Sequence, residues 1–180
     1  MMSQTTRKSL ALALIIGILC LDQLTKWLTD TYIPLMTYPS TYPYGGYGIF
    51  RDFLGIEFSI SHLTNHGAAW GVLADFQVYL LGLRIVLIAG MAWYALFINK
   101  NEGWILPLSL IVAGAVGNVL DYFVYGHVVD MLKFVFWGYE YPVFNLADSA
   151  VFLGVVWIAL LSLLSNEHPT AMCGKRRHVS

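Results

Sequence analysis

Four long runs of apolar residues divide the chain, and more polar segments of unequal length separate them. A helix needs about 20 mostly apolar residues to cross the hydrocarbon layer of a bilayer. The runs therefore predict four membrane-spanning helices, at about Ser9–Leu28, Phe76–Ile98, Trp104–Phe123 and Leu146–Leu164. No small-x-small cleavage site follows the first run, so we interpret it as a retained helix rather than a cleaved signal peptide.

Two of the intervening segments are long enough to fold outside the membrane. The first, about Thr29–Asp75, contains a turn-rich aromatic stretch at Tyr38–Gly48. It continues with apolar and β-branched residues over Phe53–Leu63, which predict short strands. The second, about Val124–Phe144, is rich in Trp, Tyr and Phe, the residues that favour the membrane–water interface.

The positions of the charges orient the predicted helices. Lys and Arg in short loops favour the cytoplasm, and most of these residues fall near the two termini and in the tight turn between the second and third runs. Both termini are therefore predicted to be cytoplasmic, with segments 29–75 and 124–144 on the opposite side. We predict one membrane-embedded domain over residues 1–166, followed by a basic cytoplasmic tail over residues 167–180.

Composition agrees with a membrane protein. Hydrophobic residues make up 58% of the chain and charged residues 12%, whereas a soluble domain is about 25% charged. The net charge of -1 implies no basic face for nucleic acid. Cys20 and Cys173 lie far apart in the sequence, which predicts neither a disulfide nor a metal site.

Polar and ionisable residues gather at the predicted outer ends of the spans. Ionisable groups within membrane spans are costly and rare, so each is a functional candidate. The cluster consists of Asp22, Asn65, Asn118, Asp121, Asp130, Asn145 and Asp148. Two pairs within it, Asn118 with Asp121 and Asn145 with Asp148, have the i, i+3 spacing that places both members on one helix face. This distribution predicts a site on the outer side of the membrane.

Structural roles are the alternative for single members of this cluster. Asn145 has the position of a helix N-cap, with Asp148 in the first turn, where the helix dipole favours a carboxylate. Asp121 has the alternative role of ion-pair partner to a Lys or Arg. Asp130 has the alternative of an ordinary solvated loop residue.

Two other chemistries are disfavoured by the pattern. His62, His66 and His127 lie near the cluster, but no His-Glu-x-x-His sequence occurs, and we predict no metal. No Gly-x-Ser-x-Gly sequence occurs either, which disfavours a serine nucleophile.

Two carboxylates that share one proton can perform aspartic catalysis. The ionised carboxylate takes a proton from water, and the protonated one donates to the developing oxyanion. Asp130, after the third span, and Asp148, at the start of the fourth, are the best candidates. A small transporter or a non-catalytic assembly or chaperone subunit stays open as an alternative, although a transport path needs polar residues in both membrane halves and the inner halves are apolar.

These residues lie in motifs that resemble those of the lipoprotein signal peptidases, the signal peptidase II family. Five motifs occur in the family's order between about Leu10 and Leu164, namely Asp22–Trp27, Asn65–Gly71, Gly117–Asp121, Gly126–Asp130 and Phe144–Asp148. The third motif departs from the family pattern, which has arginine after the aspartate where this chain has Tyr122. Tyrosine can donate one hydrogen bond but has no fixed charge and no bidentate fork.

The resemblance implies both a fold and a function. The fold is an all-α membrane protein of four transmembrane helices with a small periplasmic β-sheet cradle, in a bacterial inner membrane. The function is that of an aspartic endopeptidase without a cofactor that cleaves prolipoproteins before a diacylglyceryl-modified cysteine, with membrane lipid as a further partner and globomycin-type peptides as inhibitors. The resemblance assigns catalysis to Asp130 and Asp148, and substrate-binding or supporting roles to Asp22, Asn65, Gly67, Asn118, Asp121 and Asn145.

Overall fold

A computed structural model describes residues 4–36, 41–66 and 76–166 of the chain. Its helices are α1 (Gln4–Tyr32), α2 (Gln77–Trp93), α3 (Ile105–Val124) and α4 (Leu146–Asn166). Its strands are β1 (Tyr47–Phe53), β2 (Ile56–Asn65), β3 (Val128–Phe136) and β4 (Tyr139–Glu140). A π-helical turn, Tyr94–Ile98, extends α2, and a 3-10 turn, Glu102–Trp104, precedes α3. The four predicted spanning helices are confirmed as long and apolar enough to cross a membrane.

The first helix continues beyond its predicted end at Leu28. The backbone N–H of Ile33 donates to the carbonyl of Thr29 over 3.0 Å, so helical hydrogen bonding persists through the last turn. The ring of Tyr32 packs edge-on against Trp27 at a centroid distance of 6.1 Å. The first outer segment therefore begins after Tyr32 rather than at Thr29, because local packing extends the helix past the apolar run.

The strands form one antiparallel sheet in the order β1-β2-β3-β4. The strand predicted within Phe53–Leu63 is present as β2. A further strand, β1, begins at Tyr47 inside the turn-rich stretch Tyr38–Gly48, of which residues 38–40 lie outside the described residues. Tyr47 pairs with Ile60, so cross-strand pairing draws the end of this stretch into the sheet.

The sheet brings β3 to the start of α4. Asp130 on β3 pairs with Leu63 on β2. Two residues later, Leu132 forms a bridge with Phe144, whose carbonyl accepts the backbone N–H of Leu132 over 2.8 Å. Because Phe144 immediately precedes Asn145, this bridge places Asp130 beside the first turn of α4.

Small residues allow α3 and α4 to pack closely, as they do in many membrane bundles. A Cβ atom on Gly114 would lie 2.2 Å from the carbonyl oxygen of Ala147, and one on Gly154 would lie 2.6 Å from Cγ1 of Ile111. Helix α1 packs against both α3 and α4, and α2 packs against α3. All of α2 is described, and none of its residues is buried. The helices α1, α3 and α4 thus form the bundle that carries the polar cluster, and the predicted tail at 167–180 lies outside the described residues.

Candidate active site

Seven of the eight predicted site residues converge at one end of the helical bundle. They come from α1, β2, α3, β3 and the start of α4, and they are Asp22, Asn65, Asn118, Asp121, Asp130, Asn145 and Asp148. The eighth, Gly67, lies outside the described residues.

A buried lysine and its two aspartate partners join three of the helices at this end. The Nζ atom of Lys26 lies 2.8 Å from Oδ2 of Asp22 and 2.7 Å from Oδ2 of Asp121, and all three side chains have no exposed surface. The Oδ1 atom of Asp22 also accepts the backbone N–H of Ala147 over 2.9 Å. The ion pairs therefore connect α1 with α3, and Asp22 extends the connection to the first turn of α4.

The sequence pattern alone does not assign Lys26 to the site. The available signal is its i, i+4 spacing from Asp22, which places both side chains on one face of α1. Gln23 is a second residue that the pattern does not select, and its Nε2 atom donates to Oδ1 of Asp121 over 2.8 Å. The alternative role of Asp121 as the partner of a lysine is confirmed.

Asn118 links this lysine to Asp148. Its Oδ1 atom accepts from Nζ of Lys26 and from Nδ2 of Asn145, each over 3.0 Å. The amide is therefore oriented with its Nδ2 atom toward Asp148, and it donates to Oδ1 of that carboxylate over 2.7 Å. Asn118 thus connects Lys26 to Asp148 through two hydrogen bonds.

Asn145 links Asp148 to Asp130. Its Oδ1 atom accepts the backbone N–H of Asp148 over 2.9 Å, and Oδ2 of Asp148 accepts the backbone N–H of Asn145 over 3.3 Å. This reciprocal arrangement is that of a capping box at a helix N-terminus. The Nδ2 atom of Asn145 also donates to Oδ1 of Asp130 over 2.8 Å. Asn145 therefore both caps α4, the structural alternative considered above, and belongs to the polar cluster.

The two remaining carboxylates differ in their surroundings. Asp130 is 1% exposed and accepts at Oδ2 from Nδ2 of Asn65 over 3.1 Å, so the alternative of a solvated loop residue is wrong. Burial, and secondly the charge of Asp148, raise the pKa of Asp130 to about 7, although the hydrogen bonds from Asn65 and Asn145 oppose the shift. Asp148 is only half-buried. A buried carboxyl that holds a proton near neutral pH, beside an accessible carboxylate, suits general acid–base chemistry on water.

The histidines lie at the edge of this cluster. His62 is part of β2, so its i, i+4 spacing from His66 does not create a shared helix face. The rings of His66 and His127 lie 5.3 Å apart, and burial lowers the pKa of His127, with His66 as the next cause. Across residues 4–36, 41–66 and 76–166, no three His, Cys, Asp or Glu side chains are grouped so that they could hold a metal ion.

Comparison with known proteins decides the family. The sequence profile of signal peptidase (SPase) II matches residues 14–164. The chain belongs to the signal peptidase II family. A lipoprotein signal peptidase of Bacillus pumilus (strain SAFR-032) is 35% identical over 150 residues, which cover 83% of this chain and 89% of the relative. A lipoprotein signal peptidase of Xylella fastidiosa (strain M12) is 36% identical over 162 residues, which cover 87% and 90%.

Solved structures share the architecture. A bacterial membrane enzyme determined by the in meso method has a TM-score of 0.72 and 25% sequence identity to this chain, with 95% of both chains covered. A second such structure has a TM-score of 0.68 and 26% identity, with 86% of this chain and 93% of the other covered.

Membership in the signal peptidase II family makes the chain an aspartic peptidase. The fold that the resemblance implied, four apolar helices with a small antiparallel sheet, is confirmed. The alternatives of a transporter and of a non-catalytic subunit are removed by the same comparisons.

Proposed function

We propose that this signal peptidase II family member removes signal peptides from prolipoproteins by cleaving before a diacylglyceryl-modified cysteine, and that Asp130 and Asp148 form its catalytic dyad. One observation carries the assignment of the dyad. A single residue, Asn145, donates to the carboxylate of Asp130 from its side-chain amide and to the carboxylate of Asp148 from its backbone N–H. Its amide oxygen also accepts the backbone N–H of Asp148. Because one residue holds both carboxylates, this arrangement supports a dyad that acts on one water.

In the proposed resting state the dyad holds one proton. Asp130 carries it, because its raised pKa of about 7 keeps the buried carboxyl protonated below that pH. Asp148 is ionised in this proposed state. Asn118 donates a hydrogen bond to it, and it lies in the first turn of α4. The N-terminal end of a helix favours a negative charge in this position.

The reaction then follows from these protonation states. Asp148 takes a proton from water, whose oxygen attacks the scissile carbonyl carbon, while Asp130 donates its proton to the carbonyl oxygen. The tetrahedral intermediate collapses when Asp148 returns its proton to the departing amine nitrogen. The C–N bond breaks, and one hydroxyl proton of the intermediate passes to Asp130, which restores the starting state.

The other predicted residues have supporting roles in this proposal. Asp22 and Asp121 fix the position of Lys26. Lys26 is hydrogen bonded to Asn118, and Asn118 to Asn145, and these two amides position the dyad. Asn65 fixes the second oxygen of Asp130. Gly67 lies outside the described residues, and its substrate-binding or supporting role stays a prediction of the sequence.

The proposed location is a bacterial inner membrane, with both termini in the cytoplasm and the dyad at the periplasmic side. The distribution of Lys and Arg supports this orientation. Prolipoproteins and membrane lipid are the proposed partners, and globomycin-type peptides are proposed to bind at the dyad as inhibitors.

Cleavage of a diacylglyceryl-modified prolipoprotein by the purified protein tests the proposal. The variants are Asp130→Asn and Asp148→Asn, which keep the shape of the side chain but cannot share a proton. Asp52→Asn is the matched control, because Asp52 is an exposed residue of β1. Circular dichroism and thermal unfolding verify that each variant is folded.

We expect both dyad variants to lose cleavage by at least about a thousandfold, while Asp52→Asn cleaves like the wild type. A folded dyad variant with a near-normal rate would refute the assignment of the dyad. A wild-type protein that leaves a well-presented modified substrate uncut would refute the proposed substrate.

A further inference from the structure

An arginine lies within the second membrane-spanning helix. Arg84 of α2 donates from Nη1 to the hydroxyl oxygen of Tyr122 on α3 over 2.8 Å. Its guanidinium carbon lies 5.4 Å from the centroid of the same ring. Ionisable groups inside membrane spans are costly and by default mark a functional site. The mechanism described above gives this cation no role.

The Arg84–Tyr122 pair lies near the candidate active site. Both side chains are half-buried, and exposed apolar residues adjoin them in sequence along α2 and α3, namely Leu83, Val86 and Phe123. On α3, Tyr122 follows Asn118 by four residues, so the two share a helix face and lie about 6 Å apart along the axis. Because Asn118 donates to Asp148, the pair lies about one helical turn from the proposed dyad.

We propose that the Arg84–Tyr122 pair binds the ester carbonyls of the substrate's diacylglyceryl group and so selects lipid-modified prolipoproteins. This inference rests on the proposed function. A guanidinium presents a planar fork of N–H donors, which can hold more than one acceptor at once. Ester carbonyl oxygens are acceptors without charge, and their hydrogen bonds to a cation strengthen where water is scarce.

The covalent geometry of the substrate fits this position. About eight bonds separate the scissile nitrogen from the ester carbonyl oxygens, through the cysteine side chain and the glyceryl group. With ordinary bond lengths that path spans on the order of 8 Å, which matches one helical turn plus the width of a side chain. The acyl chains beyond the esters would then lie among the exposed apolar residues of α2 and stay in the lipid.

Two substrates of identical peptide sequence test the inference. One carries the natural ester-linked diacylglyceryl group, and the other carries an ether-linked dialkylglyceryl group, which keeps the chains but lacks both carbonyl oxygens. The KM and kcat values are measured in a neutral detergent without phospholipid for the wild type, Arg84→Gln, Arg84→Lys and Tyr122→Phe. Arg51→Gln is the matched control, because Arg51 is an exposed arginine of β1.

We expect Arg84→Gln to raise the KM for the ester substrate about tenfold or more with little change in kcat, the pattern of lost ground-state binding. The wild type should show a similar rise in KM when the ester substrate is replaced by the ether substrate. With the ether substrate, Arg84→Gln should have the same KM as the wild type. Tyr122→Phe and Arg84→Lys should raise the KM for the ester substrate by a smaller factor.

Equal effects of Arg84→Gln on both substrates, or no effect on either, would overturn the inference. Equal effects would mean that the guanidinium supports the helical bundle and does not bind the esters. If Arg84→Gln fails to fold, the KM values of Arg84→Lys and Tyr122→Phe on the ester and ether substrates test the inference in the same way. A wild type that cuts neither substrate would instead overturn the proposed function itself.

Discussion

The side-chain amide of Asn145 donates to Oδ1 of Asp130 across 2.8 Å. Because the same residue caps α4, the carboxyl of Asp130 is fixed relative to the helix that carries Asp148. The hydrogen bond favours the ionised form of Asp130 and so opposes the effect of burial on its pKa. Asn145 therefore sets both the position of this carboxyl and the strength with which it holds its proton.

Replacing Asn145 with Ala should lower kcat by roughly a hundredfold, because the carboxyl of Asp130 loses a positioning contact and the helix turn that carries Asp148 loses its N-cap. It should also move the alkaline limb of the pH–rate profile to higher pH, because a donor that lowers the pKa of Asp130 is removed. The control is Asn101→Ala, since Asn101 caps a 3-10 turn through Gly103 and lies apart from the dyad. A lower kcat with an unmoved alkaline limb would show that Asn145 positions the carboxyl of Asp130 without setting its pKa.

The wild-type pH–rate profile should fall as the pH rises through about 7. The pKa of Asp130 is raised from 3.8 to about 7, so its carboxyl is protonated below that value and ionised above it. The proposed dyad needs this proton, and its loss removes the acid that assists the carbonyl. The measurement is kcat on a saturating prolipoprotein substrate between about pH 5 and 9. A rate that climbs steadily across this range would contradict the assigned protonation state.

Lys26→Met should destabilise the protein by about 3–5 kcal/mol, the usual effect of leaving buried charges without their partner. Asp22 and Asp121 would both remain fully buried with no cation between them. Thermal unfolding in detergent measures the loss. Arg51→Met is the control, because Arg51 pairs with Glu57 at an exposed position where an ion pair contributes about 0–1 kcal/mol.

A triple variant separates charge from shape in that test. Combining Lys26→Met with Asp22→Asn and Asp121→Asn removes all three charges, and it should recover much of the lost stability. A triple variant as unstable as the single one would assign the effect to packing of the lysine side chain instead.

Gly114→Ala should destabilise the contact between α3 and α4. Its new Cβ atom would lie 2.2 Å from the carbonyl oxygen of Ala147, which belongs to the backbone and cannot rotate away. We expect a loss of about 1–3 kcal/mol from overpacking, seen as a lower melting temperature, together with reduced cleavage because Ala147 adjoins Asp148. Gly90→Ala in α2 is the control, because a Cβ there meets nothing within 4 Å. Equal melting temperatures for the two variants would contradict the close contact.

The spans and the polar cluster are predictable from sequence because a bilayer allows few arrangements. A spanning segment must satisfy its backbone within a helix, and its ionisable residues must find partners inside the bundle. Asp22, Asp121 and Asp148 therefore stand out against apolar neighbours without knowledge of the fold.

The role of Lys26 and the register of the sheet could not be predicted from the sequence. Asp121 reaches Lys26 only because α1 packs on α3, and no local spacing encodes that packing. The pairing of β2 with β3 shifts between Ile60 and Leu63, which sets the alignment of Asp130 and Asn65. Such a bulge re-aims side chains by a single residue, which the alternation of apolar residues does not reveal.

The two aspartate partners of Lys26 become available at different times during synthesis of the chain. When α1 leaves the ribosome, Asp22 and Lys26 already form a neutral pair within one turn of helix. Asp121 emerges later on α3, and it is shielded from hydrocarbon only once α3 docks on α1. The cluster of Asp22, Lys26 and Asp121 is therefore complete only after α3 has packed against α1.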